Sequence, residues 1–289
     1  MGVDYDLTIA GVHFTIHAPD NTRITKSFQP FLGEAADPDW NVTFSQAEEE
    51  PPREGKEVYS GYPFSVLKSE HGFTRCFSNH SLVKSYYAVS SSDWERGTVE
   101  VIYHPRELKA FSTIEKCFSH IGFEELLAAR GRMILHASLV DTAYGGILFS
   151  GPSGIGKSTQ AELWHTWEGG TVINGDRPIL NCCDGEWMAY GSPYAGSSQY
   201  FRNASVPVTA IVLLEQGDTC EVQPVKPAEA FRRLYAQMVV NTWNPEFVTR
   251  ICDMTLALAQ HVPVYRLRCT PDARAVETLK AELQRRARV

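Results

Sequence analysis

Residues 151–158 read Gly-Pro-Ser-Gly-Ile-Gly-Lys-Ser, the spacing GxxxxGK[ST] of a loop that wraps a phosphate chain. Gly151, Gly154 and Gly156 let the backbone turn tightly and approach an anion closely. Successive N–H groups at the head of a helix then form an anion nest backed by the helix dipole. The stretch Gly151, Pro152, Ser153, Gly154, Ile155, Gly156, Lys157, Ser158 and Thr159 is the expected cradle for the phosphates of ATP. Lys157 supplies a point charge on the β- and γ-phosphates, and the Ser158 hydroxyl is a ligand for Mg²⁺. A glycine-rich turn without a ligand is the ordinary alternative.

Other residues have types suited to phosphate chemistry. Asp176 ends the apolar run Thr171-Val-Ile-Asn-Gly-Asp. There a carboxylate can hold Mg²⁺ or take the proton of a substrate hydroxyl, or simply pair with Arg177. His136 lies in Met133–Val140, where alternation leaves its facing open. It either orients the γ-phosphate or the base, or is a hydrogen-bonded core histidine. Arg177 and Arg202 are candidate clamps on the γ-phosphate. Glu215 closes Ala210-Ile-Val-Leu-Leu, where a carboxylate activates water in a hydrolysing ATPase or marks the exit of a buried strand. The glycine- and aromatic-rich run from Tyr190 to Tyr200 reads as a loop that covers phosphates or binds substrate. Asp184 reads as a turn residue, and Trp164 and His165 as packing or surface positions.

These side chains need a strand–loop–helix frame. Gly146-Ile-Leu-Phe-Ser150 is of strand type, and Thr159-Gln-Ala-Glu-Leu-Trp164 reads as helix. The strand before the loop pairs antiparallel with 133–140 through the turn at 141–146, unlike an all-parallel βαβ start. Strands are also expected at 178–183 and 186–190 around an Asp184-Gly185 turn, at 208–214 and at 264–269. Helices are expected at 227–240, 245–260 and 271–288. Residues 1–110 are β-rich: a hairpin around Gly11, then runs at 40–44, 73–77, 83–89 and 98–103. The acidic, proline-containing run 47–56 is a solvated loop, and 111–131 reads as helix. A β-rich domain over 1–111 and a nucleotide domain over 112–289 follow.

The chain has 289 residues, net charge −7, 43% hydrophobic and 21% charged residues, the make-up of an ordinary globular protein. The negative charge argues against nucleic acid or an anionic membrane as partner. Seven cysteines, an odd number with no CxxC pair, argue against a disulfide framework and for a reducing, cytoplasmic setting. The first residues carry no signal-peptide pattern, and no apolar run has the length of a membrane span. No NKxD guanine motif is present, which argues against a GTPase switch.

Leu135-His-Ala-Ser138, the hairpin into Gly151–Thr159, and Asn174-Gly-Asp-Arg177 together resemble the HPr kinase/phosphorylase and PEP carboxykinase type of P-loop kinase over residues 132–205. From Pro193 onward, Pro207–Glu215 and Pro263–Asp272 are similar to HPr kinase-related proteins found beside peptide-modification genes. Residues 1–110 do not resemble the HPr kinase N-terminal domain. The resemblance implies an α/β (α+β) P-loop domain with a mixed sheet. It also implies nucleotide and Mg²⁺ ligands at Lys157 and Ser158, with Asp176 as the second Asp of a paired Asp-Asp. His136 becomes a histidine close to the phosphates, and Arg177 the arginine beside the pair. Two positions depart from the pattern: Gly175 stands where the first Asp would be, and Ser197 where a Lys commonly follows Gly196.

The expected function is an ATP- and Mg²⁺-dependent kinase acting on a hydroxyl of a peptide, a small protein or free serine. Homo-oligomerisation is compatible with this. The alternatives are a nucleotide-binding module without transfer, and an ATPase using Glu215. PEP carboxykinase chemistry is not expected, because the matching region is short.

Overall fold

The structure, a computed structural model, describes residues 2–34, 37–79 and 85–287. Val83 and Lys84 of the expected strand 83–89, and Arg288 of the closing helix, lie outside the described residues. The chain divides into two compact units: Met1–Arg130 with Thr242–Pro245, and Gly131–Asn241 with Glu246–Val289. The contacts thus divide after Arg130, where the composition placed the change near residue 112. No helix among the described residues is long and apolar enough to cross a membrane.

The first unit carries β1 (Gly2–Ile9), β2 (Val12–Pro19), β3 (Trp40–Gln46), β4 (Lys56–Tyr59), β5 (Phe64–Lys68), β6 (Phe73–Ser78), β7 (Tyr86–Asp93) and β8 (Thr98–Tyr103). They form one sheet of order β1-β2-β3-β8-β7-β6-β5-β4. Ala10 and Gly11 both have positive φ, 52° and 71°, the conformation of a two-residue hairpin turn that follows strand twist. Alternation then buries Leu7, Ile9, Val12, Phe14 and Ile16 on one face. The helical reading of 111–131 resolves into a 3₁₀ turn at Pro105–Phe111 and two short helices, α1 (Ile114–Phe118) and α2 (Phe123–Ala129). The break falls at Gly122, which enters α2 in the left-handed conformation. Phe118 and Phe123 of these helices pack on Phe14 with ring centroids 5.4 and 5.8 Å away. Trp243, from the returning segment, packs edge-on against Phe73 at 5.2 Å and lies under the Arg75 guanidinium.

The second unit carries β9 (Met133–Ile134), β10 (Ala137–Thr142), β11 (Gly145–Ser150), α3 (Lys157–Glu168), β12 (Thr171–Asn174), β13 (Ile179–Cys183), β14 (Glu186–Tyr190) and β15 (Ser205–Gln216). β16 (Glu221–Pro224), α4 (Pro227–Tyr235), α5 (Pro245–His261), β17 (Val264–Cys269) and α6 (Ala273–Ala287) complete it. Its strands form a mixed sheet of order β12-β10-β11-β15-β14-β13-β9, with β17 and β16 branching from β15. β15 is the spine. Its first residues pair with β14, its last run parallel to β17, and its other edge runs parallel to β11. Asp184 and Gly185 turn the β13–β14 hairpin with φ of 50° and 85°, as their types require.

Two expected elements are shorter than their sequence patterns. The strand over 133–140 breaks at Leu135 and His136, because β9 pairs with β13 whereas β10 pairs with β11 and β12. The helix expected to run to 240 ends at Tyr235. The chain after it turns so that the Gln237 carbonyl accepts from His136 N and the Val239 amide donates to the Ile134 carbonyl.

The core of this unit lies where α3 and α6 cover β10, β11, β15 and β17. Val140, Phe149, Trp164, Val212, Leu267 and Leu279 are all fully or nearly fully buried there. Trp164 is the largest side chain of this core, and its indole N–H has no partner. Trp164→Ala is expected to cost about 3–5 kcal/mol, read as a lower urea midpoint. Trp164→Phe is expected to cost much less, because it also removes an unsatisfied buried donor.

Candidate functional site

Strand directions bring the candidate residues to one end of the sheet. β10 runs antiparallel to both β11 and β12, and β15 runs parallel to β11. The C-terminal ends of β11, β12 and β15 therefore meet the N-terminal end of β10. Those ends carry the glycine-rich loop Gly151–Gly156, Asn174–Arg177, Glu215 and His136 respectively. Hydrogen bonds lock this end: Ser150 Oγ donates to the His136 carbonyl at 3.0 Å, and Ala137 N to the Asp176 carbonyl at 3.0 Å.

The loop has the backbone that its glycines allow. Gly154 and Gly156 have φ of 77° and 111°, and a Cβ at either would meet nothing within 4 Å. Their requirement is conformational, and the space beside them is open for a ligand to approach. Pro152, Ser153, Gly154, Ser158 and Thr159 are exposed, and Ile155 packs at the edge of the core. Lys157, the first residue of α3, is buried. Its ammonium donates to the Gly151 and Pro152 carbonyls at 3.1 and 3.2 Å. Burial lowers its pKa, and the charge of Asp176 partly offsets this.

Three further side chains form one cluster. His136 Nε2 lies 3.1 Å from Asp176 Oδ1, and Arg177 Nε lies 3.6 Å from Asp176 Oδ2. A carboxylate only accepts, so the imidazole proton sits on Nε2 and leaves Nδ1 as an acceptor when the ring is neutral. Desolvation lowers the His136 pKa below 6.5. The positive charges of Lys157 and Arg177 act with it, and Asp176 opposes. Lys157, His136, Asp176 and Arg177 are thus within electrostatic reach of one another.

Asn174 positions the cluster, and nothing in its residue type had marked it. It is fully buried. Its Oδ1 accepts from the amides of Asp176 and Arg177 at 3.0 and 2.8 Å. Its Nδ2 donates to the Ser192 and Tyr194 carbonyls at 3.0 and 3.2 Å. An asparagine followed by a glycine at a strand end is the signal for such a side-chain-capped turn. The glycine-rich loop is held in the same way, with Ser192 Oγ donating to the Arg177 carbonyl at 2.6 Å. The loop rests on the site: a Cβ on Gly196 would lie 3.0 Å from Asp176 Cγ. A Cβ on Gly175 would lie 1.6 Å from Ser198 Oγ, so Ser198 occupies the space that a side chain at position 175 would need.

Two candidates lie apart from this cluster. Arg202 is exposed and donates through Nε to the Val172 carbonyl, along the outer edge of β12. Glu215 is bound by Arg233 of α4 at 2.6 Å. Trp164 belongs to the core, and His165 Nδ1 pairs with the Gly170 carbonyl at 2.7 Å.

On the β15–β17 side of the loop lies a cavity of about 610 Å³, lined by Gly154, Gly156, Thr159, Gln160 and residues of the β15 and β17 ends. Among the described residues no group of three or more His, Cys, Asp or Glu is placed to hold a metal ion. The Ser158 hydroxyl and the Asp176 carboxylate are oxygen donors of the kind Mg²⁺ takes, one or two from a protein with waters completing its shell.

In an NMR titration His136 is expected to titrate below 6.5. Lys157→Met should raise its pKa and Asp176→Asn should lower it further; shifts of the same sign would refute the opposed charges. Gly175→Asp alone is expected to destabilise the protein by forcing Ser198 away. Adding Ser198→Gly, which removes the colliding atoms, should restore the melting temperature.

No curated protein matches the chain. Among solved structures, the HPr(Ser) kinase/phosphatase from Coxiella burnetii is similar at 16% identity and a TM-score of 0.32, covering 54% of this chain and 90% of that one. The family model described as SynChlorMet cassette protein ScmC matches residues 112–283. That span takes in His136, the loop Gly151–Gly156, Asn174–Arg177 and the whole of β15, and it is more than half of the 289 residues. The chain belongs to the ScmC family.

Proposed function

We propose that this protein is a kinase of the HPr kinase and PEP carboxykinase type. It would bind ATP at Gly151–Thr159 and transfer the γ-phosphate to a hydroxyl of a peptide, a small protein or free serine. One observation carries the reading: His136, Asp176 and Arg177 gather beside Lys157 at the sheet end where β11 releases the loop. The loop amides and Lys157 hold the phosphates. Ser158 and Asp176 would hold Mg²⁺, which when bound neutralises charge on the transferred group. Asp176 takes the acceptor proton and His136 orients it through the Nε2 bond. Arg177 supplies positive charge beside them. Arg202 is a more remote candidate for that role, since its Nε is engaged by Val172. Catalysis here is positioning and electrostatics. Seven free thiols suit a reducing, cytoplasmic setting.

A second reading, nucleotide binding without transfer, is favoured by Ser198, which occupies the space that a side chain at position 175 would need. Hydrolysis by Glu215 is disfavoured by its ion pair with Arg233.

Mass spectrometry after incubation with Mg-ATP and hydroxyl acceptors should show one phosphate gained. Asp176→Asn should lower the rate by roughly 10²–10⁴. Phosphate release without an acceptor, lost in Glu215→Gln and kept in Asp176→Asn, would assign hydrolysis instead. Tight binding with no turnover would assign the module.

A further inference from the structure

β17 lies between β15 and β16, and the chain crosses over its end. β15 stops at Gln216, β16 starts at Glu221, and both pair with β17. Residues 217–220 therefore arch over the C-terminal end of β17. Gly217 and Asp218 of the arch line one cavity with Cys269, Thr270, Gly154 and Gly156.

The arch and β17 each end on a cysteine. The β16–β17 register pairs Glu221 with Arg268 and Val222 with Leu267, so the next pair is Cys220 with Cys269. The Val225 amide donates to the Val264 carbonyl at 2.8 Å, which makes 225–264 a hydrogen-bonded pair of this antiparallel ladder. Alternation from there makes 221–268 hydrogen-bonded and 220–269 non-hydrogen-bonded, a pair whose Cα atoms stand about 4.5 Å apart. Consistently, the Cys269 carbonyl is turned to the β15 side, where it accepts from the Gly217 amide at 3.1 Å. Cα separations of about 4.4–6.8 Å admit a disulfide. Side chains repeat their facing every second residue of a strand, so both cysteines share the face of Val222 and Leu267. Both pack on the same core. The other five cysteines have no such partner in the register. Cys76 opposes Ser65 and Val89, Cys182 and Cys183 oppose Trp187 and Glu186, and Cys117 and Cys252 lie in helices.

The two thiols differ in access. Cys269 is buried, and Gln160 Nε2 donates to its sulfur at 3.3 Å. Burial, with the neighbouring Cys220 adding to it, pushes the Cys269 thiol up to about 11. Cys220 is half-buried, and its sulfur lies 3.3 Å from Thr270 Oγ1. Cys220 is therefore the thiol that a reagent meets first.

We propose that Cys220 and Cys269 are a redox-responsive pair, which a small organic disulfide such as oxidised glutathione converts into a cross-strand bridge that fastens the arch to the end of β17. The Cys220 thiolate attacks one sulfur of the reagent, whose S–S bond breaks and releases one thiol. Cys269 then gives its proton to solvent and attacks the Cys220 sulfur of the mixed disulfide, and the second thiol leaves. The two cysteines are oxidised by two electrons, and the reagent is reduced to two thiols. One reversible bridge of this kind belongs to reducing compartments, where a structural disulfide framework does not. It closes a loop of about 50 residues and so constrains the unfolded chain.

The test equilibrates the full chain, under native conditions, with mixtures of reduced and oxidised glutathione. Free thiols are then alkylated and the peptides mapped by mass spectrometry without reduction. The expected product is a peptide pair joined through Cys220 and Cys269, lost again in reduced glutathione. The oxidised protein should have a higher urea midpoint than the reduced one. Cys269→Ser should stop at glutathione on Cys220, Cys220→Ser should leave Cys269 unmodified, and neither should show the midpoint shift. An oxidising mixture that yields no Cys220–Cys269 peptide, or that joins either residue to another cysteine instead, overturns the proposal. A bridged protein with a lower midpoint than the reduced one also overturns it, because the bridge would then distort the pair.

Discussion

The amide of Asn174 ties the turn that follows it to a loop that begins 18 residues further along the chain. It is wholly buried at the end of an edge strand, and every polar atom it carries is engaged. One side of the amide fixes the backbone of Asp176 and Arg177. The other fixes Ser192 and Tyr194 at the root of the glycine-rich loop. A buried polar network of this kind is costly when half satisfied and confers rigidity when complete. The placement of the Asp176 carboxylate relative to the loop Gly151–Gly156 follows from that satisfaction, since both amides of the turn at Asp176 and Arg177 bond to the Asn174 side chain.

The charges around Asp176 are arranged by opposition. Lys157 is drawn inward by two loop carbonyls and loses solvation there. His136 is flanked by two cations and one anion, and burial together with the cations prevails. A neutral imidazole bonded to a carboxylate beside a buried ammonium is a compact way to keep one group able to accept a proton while another carries positive charge. The broken strand at Leu135–His136 makes this possible. A continuous strand would have committed His136 to a ladder position. The break instead ties its backbone to Gln237 and places its side chain at the sheet end.

Much of the second unit was legible because its signals are local. The eight-residue loop, the Asp184-Gly185 turn and the strand over 208–214 each follow from residue types at short spacing. Asp176 and His136 were legible as candidates, but their meeting depends on strand order, which periodicity does not encode. Asn174 belongs to the stretch quoted for the resemblance, but its positioning role is not legible there, because a buried asparagine and a turn asparagine look alike in a sequence. Arg202 was nominated by residue type, and a backbone carbonyl on β12 engages its Nε instead. The single helix expected over 111–131 failed at Gly122, whose left-handed conformation starts a new helix rather than continuing one. The division of the chain near 112 followed composition, whereas contacts divide after Arg130 because α1 and α2 lay their phenylalanines on Phe14.

The return of residues 242–245 to the first unit bears on how the molecule is made. During synthesis a domain folds as its chain emerges, earlier parts first. Here the eight-strand sheet is released long before Trp243, the indole that lies against Phe73 and Arg75. By the time that indole leaves the ribosome, every strand of the other sheet except β17 has already left it. The amino-terminal half therefore completes its aromatic packing late, and a truncation ending at Arg130 would leave an uncovered ring and guanidinium where the intact protein has an indole.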